Sequence, residues 1–237
     1  MNRSTVGIVA IGLAAAALLI VFRFIGGAGV QSSQTGAPAL ADPQPSAATP
    51  TAPGARAGAV RFVIAPQDSK VTYRVNETFF REGNRLNTAV GVTQGIRGEI
   101  LIDRTDPRRS TIGPMTVDIS QFRSDSDRRD NAIRDRWLES RRFPTAQFTT
   151  TAIRGLPSAY RDGDELRLQI TGNLKIRDRE RPVTFNAAIK VAGPTLTGTA
   201  TTAIKMTDFG FDPPSILGIL RAENDVALEF ALVARAQ

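Results

Sequence analysis

The sequence predicts an all-β domain, and two patterns support that prediction. Between residues 61 and 237, apolar and polar side chains alternate with period two in eight separate segments, which is typical of strands that bury one face. Glycines and prolines separate these segments, as turns between antiparallel strands require. Eight such strands fit a sandwich or a closed barrel. One short helix accompanies these strands, and closure into an eight-stranded antiparallel barrel would remove the exposed edge strands.

The eight predicted strands follow one another along the chain. They lie near residues 71–75, 100–102, 115–119, 147–154, 166–174, 183–191, 196–206 and 226–232. One face of these strands carries mainly Thr, Arg, Asp, Glu and Lys, whereas the other face is mainly aliphatic. A membrane barrel has the opposite polarity. We therefore expect a water-facing exterior around an apolar interior.

The single helix is predicted over residues 127–138. Ser124 or Asp125 can cap its N-terminus, and Ile133 and Trp137, four residues apart, share one face. Seven arginines lie between residues 123 and 142, but five carboxylates are interspersed among them. This mixture is typical of a solvated helix face, so we expect no nucleic-acid partner.

The composition excludes several kinds of active site. The chain has 237 residues, no cysteine, no histidine and a net charge of +7. Disulfides, thiol nucleophiles, imidazole bases and zinc sites built on His or Cys are therefore excluded. We expect a binding protein with no catalytic residues, no metal and no cofactor.

The N-terminal residues predict a membrane-linked chain. Residues 6–22 carry no charge, and a helix of that length spans roughly 26 Å. We interpret residues 1–30 as a signal anchor or a cleaved signal peptide. Residues 31–60 hold five prolines and nine alanines, and are predicted to form a disordered linker. The domain at 61–237 would then lie outside the cytoplasm, anchored in the membrane or secreted.

Two further features suggest a ligand cavity. Two long loops are predicted, at 78–94 and 207–224, and both are apolar enough to act as lids or portals, or to plug the core. Small residues on the inward face can leave a void, or can relieve crowding at strand bends; they are Gly172, Ala187, Gly198, Ala200 and Thr202.

Eight short segments, in this order and spacing, resemble the YceI-like family of lipid-binding proteins over residues 61–233. The most characteristic is Arg-Phe-Pro-Thr-Ala-Gln-Phe at 142–148, and the others lie at 68–71, 88–93, 124–131, 172–174, 181–183, 196–200 and 208–210. The resemblance implies a lipocalin-like barrel that encloses a polyisoprenoid chain, such as that of a quinone or a polyprenol. It also implies possible pairing into a homodimer, and it supplies no catalytic residues. Asp68 precedes Ser69 where family members often have a histidine, and segment 78–94 is longer than the family's first turn.

The leading hypothesis is non-catalytic binding, storage or transport of an isoprenoid lipid. The alternatives are a stress-related interaction module with a filled core, and an enzyme that uses Asp208 and Asp212 on a lipid. The candidate lumen and portal residues share apolar character and a predicted inward or loop position; they are Tyr73, Phe79, Phe80, Val90, Val92, Ile119, Phe122, Ile133, Trp137, Phe148, Leu168, Ile170, Phe185, Ala200, Phe209, Phe211, Ile216 and Leu217.

Overall fold

The computed structural model describes residues 58–237. The predicted signal anchor or signal peptide at 1–30, and all but the last three residues of the predicted linker at 31–60, lie outside the described residues. In the described part of the chain, no helix has both the length and the apolar character needed to cross a membrane.

Residues 58–237 form one antiparallel sheet of 14 strands with one short helix. The strands are β1 (Ala59–Ile64), β2 (Lys70–Phe79), β3 (Arg85–Thr93), β4 (Ile96–Arg97), β5 (Glu99–Asp103), β6 (Thr111–Ile112), β7 (Met115–Asp118), β8 (Thr145–Arg154), β9 (Glu165–Ile176), β10 (Arg179–Ala192), β11 (Thr195–Lys205), β12 (Ser215–Ile216), β13 (Leu220–Ala222) and β14 (Asp225–Ala236). Helix α1 (Asp127–Ala132) continues as a wider helical turn over Ile133–Trp137. Short 3₁₀ turns occupy Pro66–Asp68, Phe80–Glu82, Pro107–Arg109, Ile119–Gln121 and Met206–Phe209.

The strand pairings curl this sheet around a shared interior. The main path of neighbours is β12, β13, β2, β14, β11, β10, β9, β8, β7 and β4. β3 pairs with β2 near one end of that path, while β4, which follows β3 directly in the chain, pairs with β7 at the other end. β1 pairs with both β14 and β5, and β5 pairs with β6. The resulting all-β fold fits a lipocalin-like architecture.

All eight predicted strands are present, as β2, β5, β7, β8, β9, β10, β11 and β14. The sheet has six further strands, which makes 14 instead of the predicted eight. The prediction of a long loop at 78–94 is wrong for most of its length. Residues 85–93 form β3, which pairs with β2 from Phe79 opposite Arg85 to Val71 opposite Thr93.

The helix lies where it was predicted, but its cap differs. Ser126 is the N-cap residue, and its Oγ accepts a hydrogen bond from the backbone N–H of Arg129 at 3.3 Å. Ser124 instead holds the buried carboxylate of Asp130, to which its Oγ donates at 2.6 Å. After Ala132 the helix widens, and the N–H of Leu138 bonds to the carbonyl of Ile133 at 2.8 Å.

The core lies inside the curled sheet. Phe148, Phe185 and Phe230 form a chain of edge-to-face contacts, with ring centres 5.1 and 5.2 Å apart. A β-carbon at Gly172 would lie 2.6 Å from Cζ of Phe148. Gly172 therefore leaves room for an aromatic ring and relieves crowding, instead of contributing a void.

Candidate ligand-binding cavity

Two neighbouring cavities lie within the curled sheet. The larger has a volume of about 480 Å³ and is enclosed by the inner faces of β2, β7, β8 and β14, by α1, and by residues between β11 and β14. The smaller has a volume of about 90 Å³. Met115, Phe148 and Phe230 line both cavities and so separate them. The larger volume falls within the range of about 300–1,000 Å³ that is usual for small-molecule sites.

Thirteen of the 18 candidate residues line one of the two cavities. Those at the larger cavity are Tyr73, Phe79, Ile119, Phe122, Ile133, Trp137, Phe148, Phe211 and Ile216. Those that line the smaller cavity without reaching the larger are Leu168, Ile170, Phe185 and Ala200. That these side chains contact a ligand stays a prediction.

The other five candidates lie outside both cavities. Val90 and Val92 occupy the outer face of β3, because the inward positions are those of Ala89, Gly91 and Thr93. Phe209 is 1% exposed and is part of the solid core. Phe80 and Leu217 lie at turns and are 43% and 97% exposed.

Strand β2 provides one wall of the larger cavity. Val71, Tyr73, Val75 and Glu77 occupy alternate positions of the strand, are buried and line the cavity. Tyr73 lies opposite Gly91 of β3, where a β-carbon would lie 2.1 Å from Cε1 of the tyrosine ring. The missing side chain at Gly91 therefore allows the Tyr73 ring to lie flat across β3.

A buried ion pair forms a polar patch on the cavity wall. Glu77 of β2 and Arg129 of α1 have side chains only 7% and 17% exposed, and Nη2 of Arg129 lies 3.2 Å from Oε2 of Glu77. Nδ2 of Asn87 donates to the same oxygen at 3.2 Å, and Arg129 also pairs with Asp125. The ion pair thus ties α1 to the inner face of the sheet.

The hydroxyl group of Tyr73 is the second polar feature of this wall. Tyr73 is 8% exposed, and its hydroxyl oxygen is buried with no hydrogen-bond partner within residues 58–237. Burial, reinforced by the charge of Asp130, raises the pKa of Tyr73 to about 12. The phenol therefore stays protonated near neutral pH, and its hydroxyl is packed against β3 beside Gly91.

Sequence reasoning missed the polar wall. Glu77 continues the alternation of Val71, Tyr73 and Val75, so the sequence pattern places this charged side chain on the inward, apolar face. Its need for a buried partner then pointed to a basic residue from another element. Arg129 supplies that partner, but its pairing with β2 depends on how α1 docks.

The residues proposed for lipid chemistry are not gathered into a site. Asp208 and Asp212 are both exposed, and neither lines a described cavity. Within residues 58–237, no group of three or more His, Cys, Asp or Glu side chains is placed to hold a metal ion.

Comparisons with known proteins identify the family. The family profile described as "YceI-like domain" matches residues 62–234. No curated protein matches this chain.

The crystal structure of BcnA from Burkholderia cenocepacia aligns with a TM-score of 0.55 at 21% identity, covering 72% of this chain and 98% of BcnA. A polyisoprenoid binding domain from Saccharophagus degradans, implicated in plant cell wall breakdown, aligns with a TM-score of 0.56 at 12% identity, covering 74% of this chain and 98% of that domain. At these identities the two structures establish the fold alone. Because the family profile covers most of the sequence, this chain belongs to the YceI-like family.

Proposed function

We propose that this protein binds an isoprenoid lipid in its larger cavity, and stores or carries it without catalysis. The observation that carries the proposal is a space of about 480 Å³ lined mainly by aliphatic and aromatic side chains. Membership of the YceI-like family supports it. So does the structural likeness to a domain described as polyisoprenoid binding. The alternative, an interaction module with a filled core, expects no space for a chain, so the cavity counts against it.

The lining suits a hydrocarbon chain on energetic grounds. Burial of each CH₂ group contributes about 0.8 kcal/mol, so a few isoprene units provide useful affinity even after the cost of ordering the chain. The wall from β2 and α1 offers groups for one polar end. The Glu77–Arg129 ion pair lies on that wall.

The N-terminal residues support a place for this activity outside the cytoplasm. The uncharged run at 6–22 and the Pro/Ala-rich run at 31–60 are the features behind this part of the proposal. A linker of thirty residues spans roughly 30 Å. The domain would then stay within reach of a membrane in which isoprenoid lipids dissolve.

Ligand uptake can be measured directly, because the chain has one tryptophan and it lines the larger cavity. Brominated farnesol added to the full chain should quench the fluorescence of Trp137, and native mass spectrometry should show a one-to-one complex with added polyprenol. Ligand-free protein in repeated preparations, with neither quenching nor uptake, would contradict the proposal.

A matched pair of variants locates the site. Ala146 is buried and lines the larger cavity, so Ala146→Phe should fill part of the space and weaken farnesol binding at least tenfold. Ala203 is exposed on β11, so Ala203→Phe should leave binding unchanged. Thermal unfolding of both variants separates loss of the site from loss of the fold. Equal binding by the two folded variants would place the ligand elsewhere.

A further inference from the structure

The exposed large apolar side chains of the domain concentrate at one place. Four of the five such residues in the described chain lie at or beside the tips of two hairpins. Their exposed fractions are 43% for Phe80, 78% for Leu86, 46% for Ile216 and 97% for Leu217. We call these four side chains the apolar rim. A single exposed leucine needs no explanation, but several large apolar side chains exposed at one end of a sheet mark an interaction surface.

Hydrogen bonds hold the two hairpins side by side. The first consists of β2 and β3, and the second of β12 and β13. β13 runs antiparallel to β2, with Leu220 opposite Phe79, and the N–H of Phe80 donates to the carbonyl of Ile219 at 2.9 Å. Because β13 begins where β2 ends, both turns are at the same end of the sheet.

The apolar rim is continuous with the wall of the larger cavity. Phe79, Ile219 and Leu220 line the cavity just inside the turns. Ile216 both lines the cavity and is exposed to solvent. The cavity therefore reaches the surface where the rim lies, and anything that covers the rim also covers that opening.

The charges beside the rim are mainly positive. Residues 79–86 and 215–221 contain three arginines and one glutamate, which leaves a net charge of +2. Glu82 is paired with Arg85 at 2.6 Å. Arg81 and Arg221 are exposed and form no ion pair within residues 58–237. Two unpaired guanidinium groups beside exposed Leu, Ile and Phe side chains complement lipid phosphates above acyl chains.

We infer that the apolar rim docks the domain onto an anionic lipid bilayer, so that the larger cavity opens toward the acyl chains. This inference rests on the proposed function, because docking is useful to a protein that binds a lipid chain. A docked cavity takes up or releases a water-insoluble chain without exposing it to water. The apolar side chains supply insertion into the interface. Arg81 and Arg221 supply the preference for anionic lipids.

The absence of cysteine from the chain permits a site-specific test. Single variants Leu217→Cys and Val90→Cys of the full chain are labelled with an environment-sensitive fluorophore and reconstituted in vesicles with brominated acyl chains. Val90 is 37% exposed on the outer face of β3, away from the tips, and serves as the matched control. Because each label reports its own depth, membrane attachment through the N-terminal residues does not obscure the result.

We expect quenching at position 217 to exceed quenching at position 90 at least fivefold in vesicles that contain phosphatidylglycerol. The difference should shrink in pure phosphatidylcholine and at high salt. Leu86→Glu should lower the ratio of docked to free domain about tenfold, and Arg81→Gln or Arg221→Gln about fivefold each, the last two only in anionic vesicles.

Two results would overturn docking. One is equal quenching at positions 217 and 90. The other is a spectral shift at 217 that grows with protein density but is not quenched by brominated lipid, which would assign the rim to a second copy of the chain. Farnesol binding, read from Trp137 in vesicles without brominated lipid, tests the proposed function separately. Docking without farnesol binding rejects only the ligand, and farnesol binding without docking rejects only the membrane surface.

Discussion

Replacement of Phe148 by alanine should join the two cavities and change the length of chain that the protein prefers. Phe148 is buried and, with Met115 and Phe230, separates spaces of about 480 and 90 Å³. If each chain carbon takes about 30 Å³, roughly the volume share of a water molecule in the liquid, the smaller cavity holds about three more carbons. Removal of the six ring carbons makes room for about six carbons more. Together this is roughly two isoprene units.

The expected energies are large enough to measure. About nine additional buried carbons correspond to a gross gain of about 7 kcal/mol, and one fifth of that gain is already a tenfold change in affinity. Removal of the ring should lower the free energy of unfolding of the ligand-free protein by about 3–5 kcal/mol. The variant is therefore expected to be less stable when empty, yet to favour a longer ligand.

The assay is competition between farnesol and a prenol two isoprene units longer, measured by native mass spectrometry, together with urea unfolding. Phe62→Ala is the control, because Phe62 is fully buried but lines neither cavity. The control should lose comparable stability without any change in chain-length preference. An unchanged preference in a folded Phe148→Ala variant would refute the argument that a chain in the larger cavity meets this ring.

Three further predictions concern the walls of the cavity. Gly91→Ala places a β-carbon 2.1 Å from the Tyr73 ring, so it should lower the free energy of unfolding by about 1–3 kcal/mol and weaken farnesol binding. Thr88→Ala, on the exposed side of β3, should leave farnesol binding unchanged. Urea unfolding measures the stability of the Gly91→Ala variant, and Trp137 quenching measures binding by both variants. Ser126→Ala removes the cap of α1 and should cost about 1 kcal/mol in thermal unfolding; no loss would exclude the capping role. The pKa of Tyr73 rises from 10.0 to about 12 on folding, so the unfolded chain releases the phenol proton at a lower pH than the folded chain does. The contribution of Tyr73 to the free energy of unfolding is therefore fully present below pH 10. Between pH 10 and 12 the free energy of unfolding should fall by up to about 1.4 kcal/mol per pH unit. Urea unfolding at pH 9 and 11 measures this loss of stability, and the part that Tyr73 causes should be absent from the Tyr73→Phe variant. The same pH dependence in both proteins would contradict the raised pKa of Tyr73.

The alternation of side chains explains why eight of the strands could be predicted. Each of the eight predicted segments carries enough alternating residues to show a period of two, and each is a strand. β4, β6 and β12 have only two residues, which is too short for any period to be visible. Their formation depends on partners that are remote in sequence, such as Val117 for Ile96.

The facing of β3 could not be deduced from hydrophobicity. Val90 and Val92 are the larger apolar residues of this strand, yet the inward positions belong to Ala89 and Gly91. The reason is the bulk of Tyr73 on the neighbouring strand, which takes the space that an inward valine would need. Cross-strand volume, and not the polarity of one strand, decides the orientation here.

The position of β14 has a consequence for how the chain acquires its structure. This last strand pairs with β11, with β2 and with β1, and its partners include Phe62 opposite Ala236. Contacts between the first and last described strands join residues about 170 positions apart, which favours slow folding because a long loop must close first. Until residues 225–236 have left the ribosome, β1, β2 and β11 each lack one neighbouring strand. During that interval their unpaired edges are open to pairing with other chains, which favours aggregation of the nascent domain.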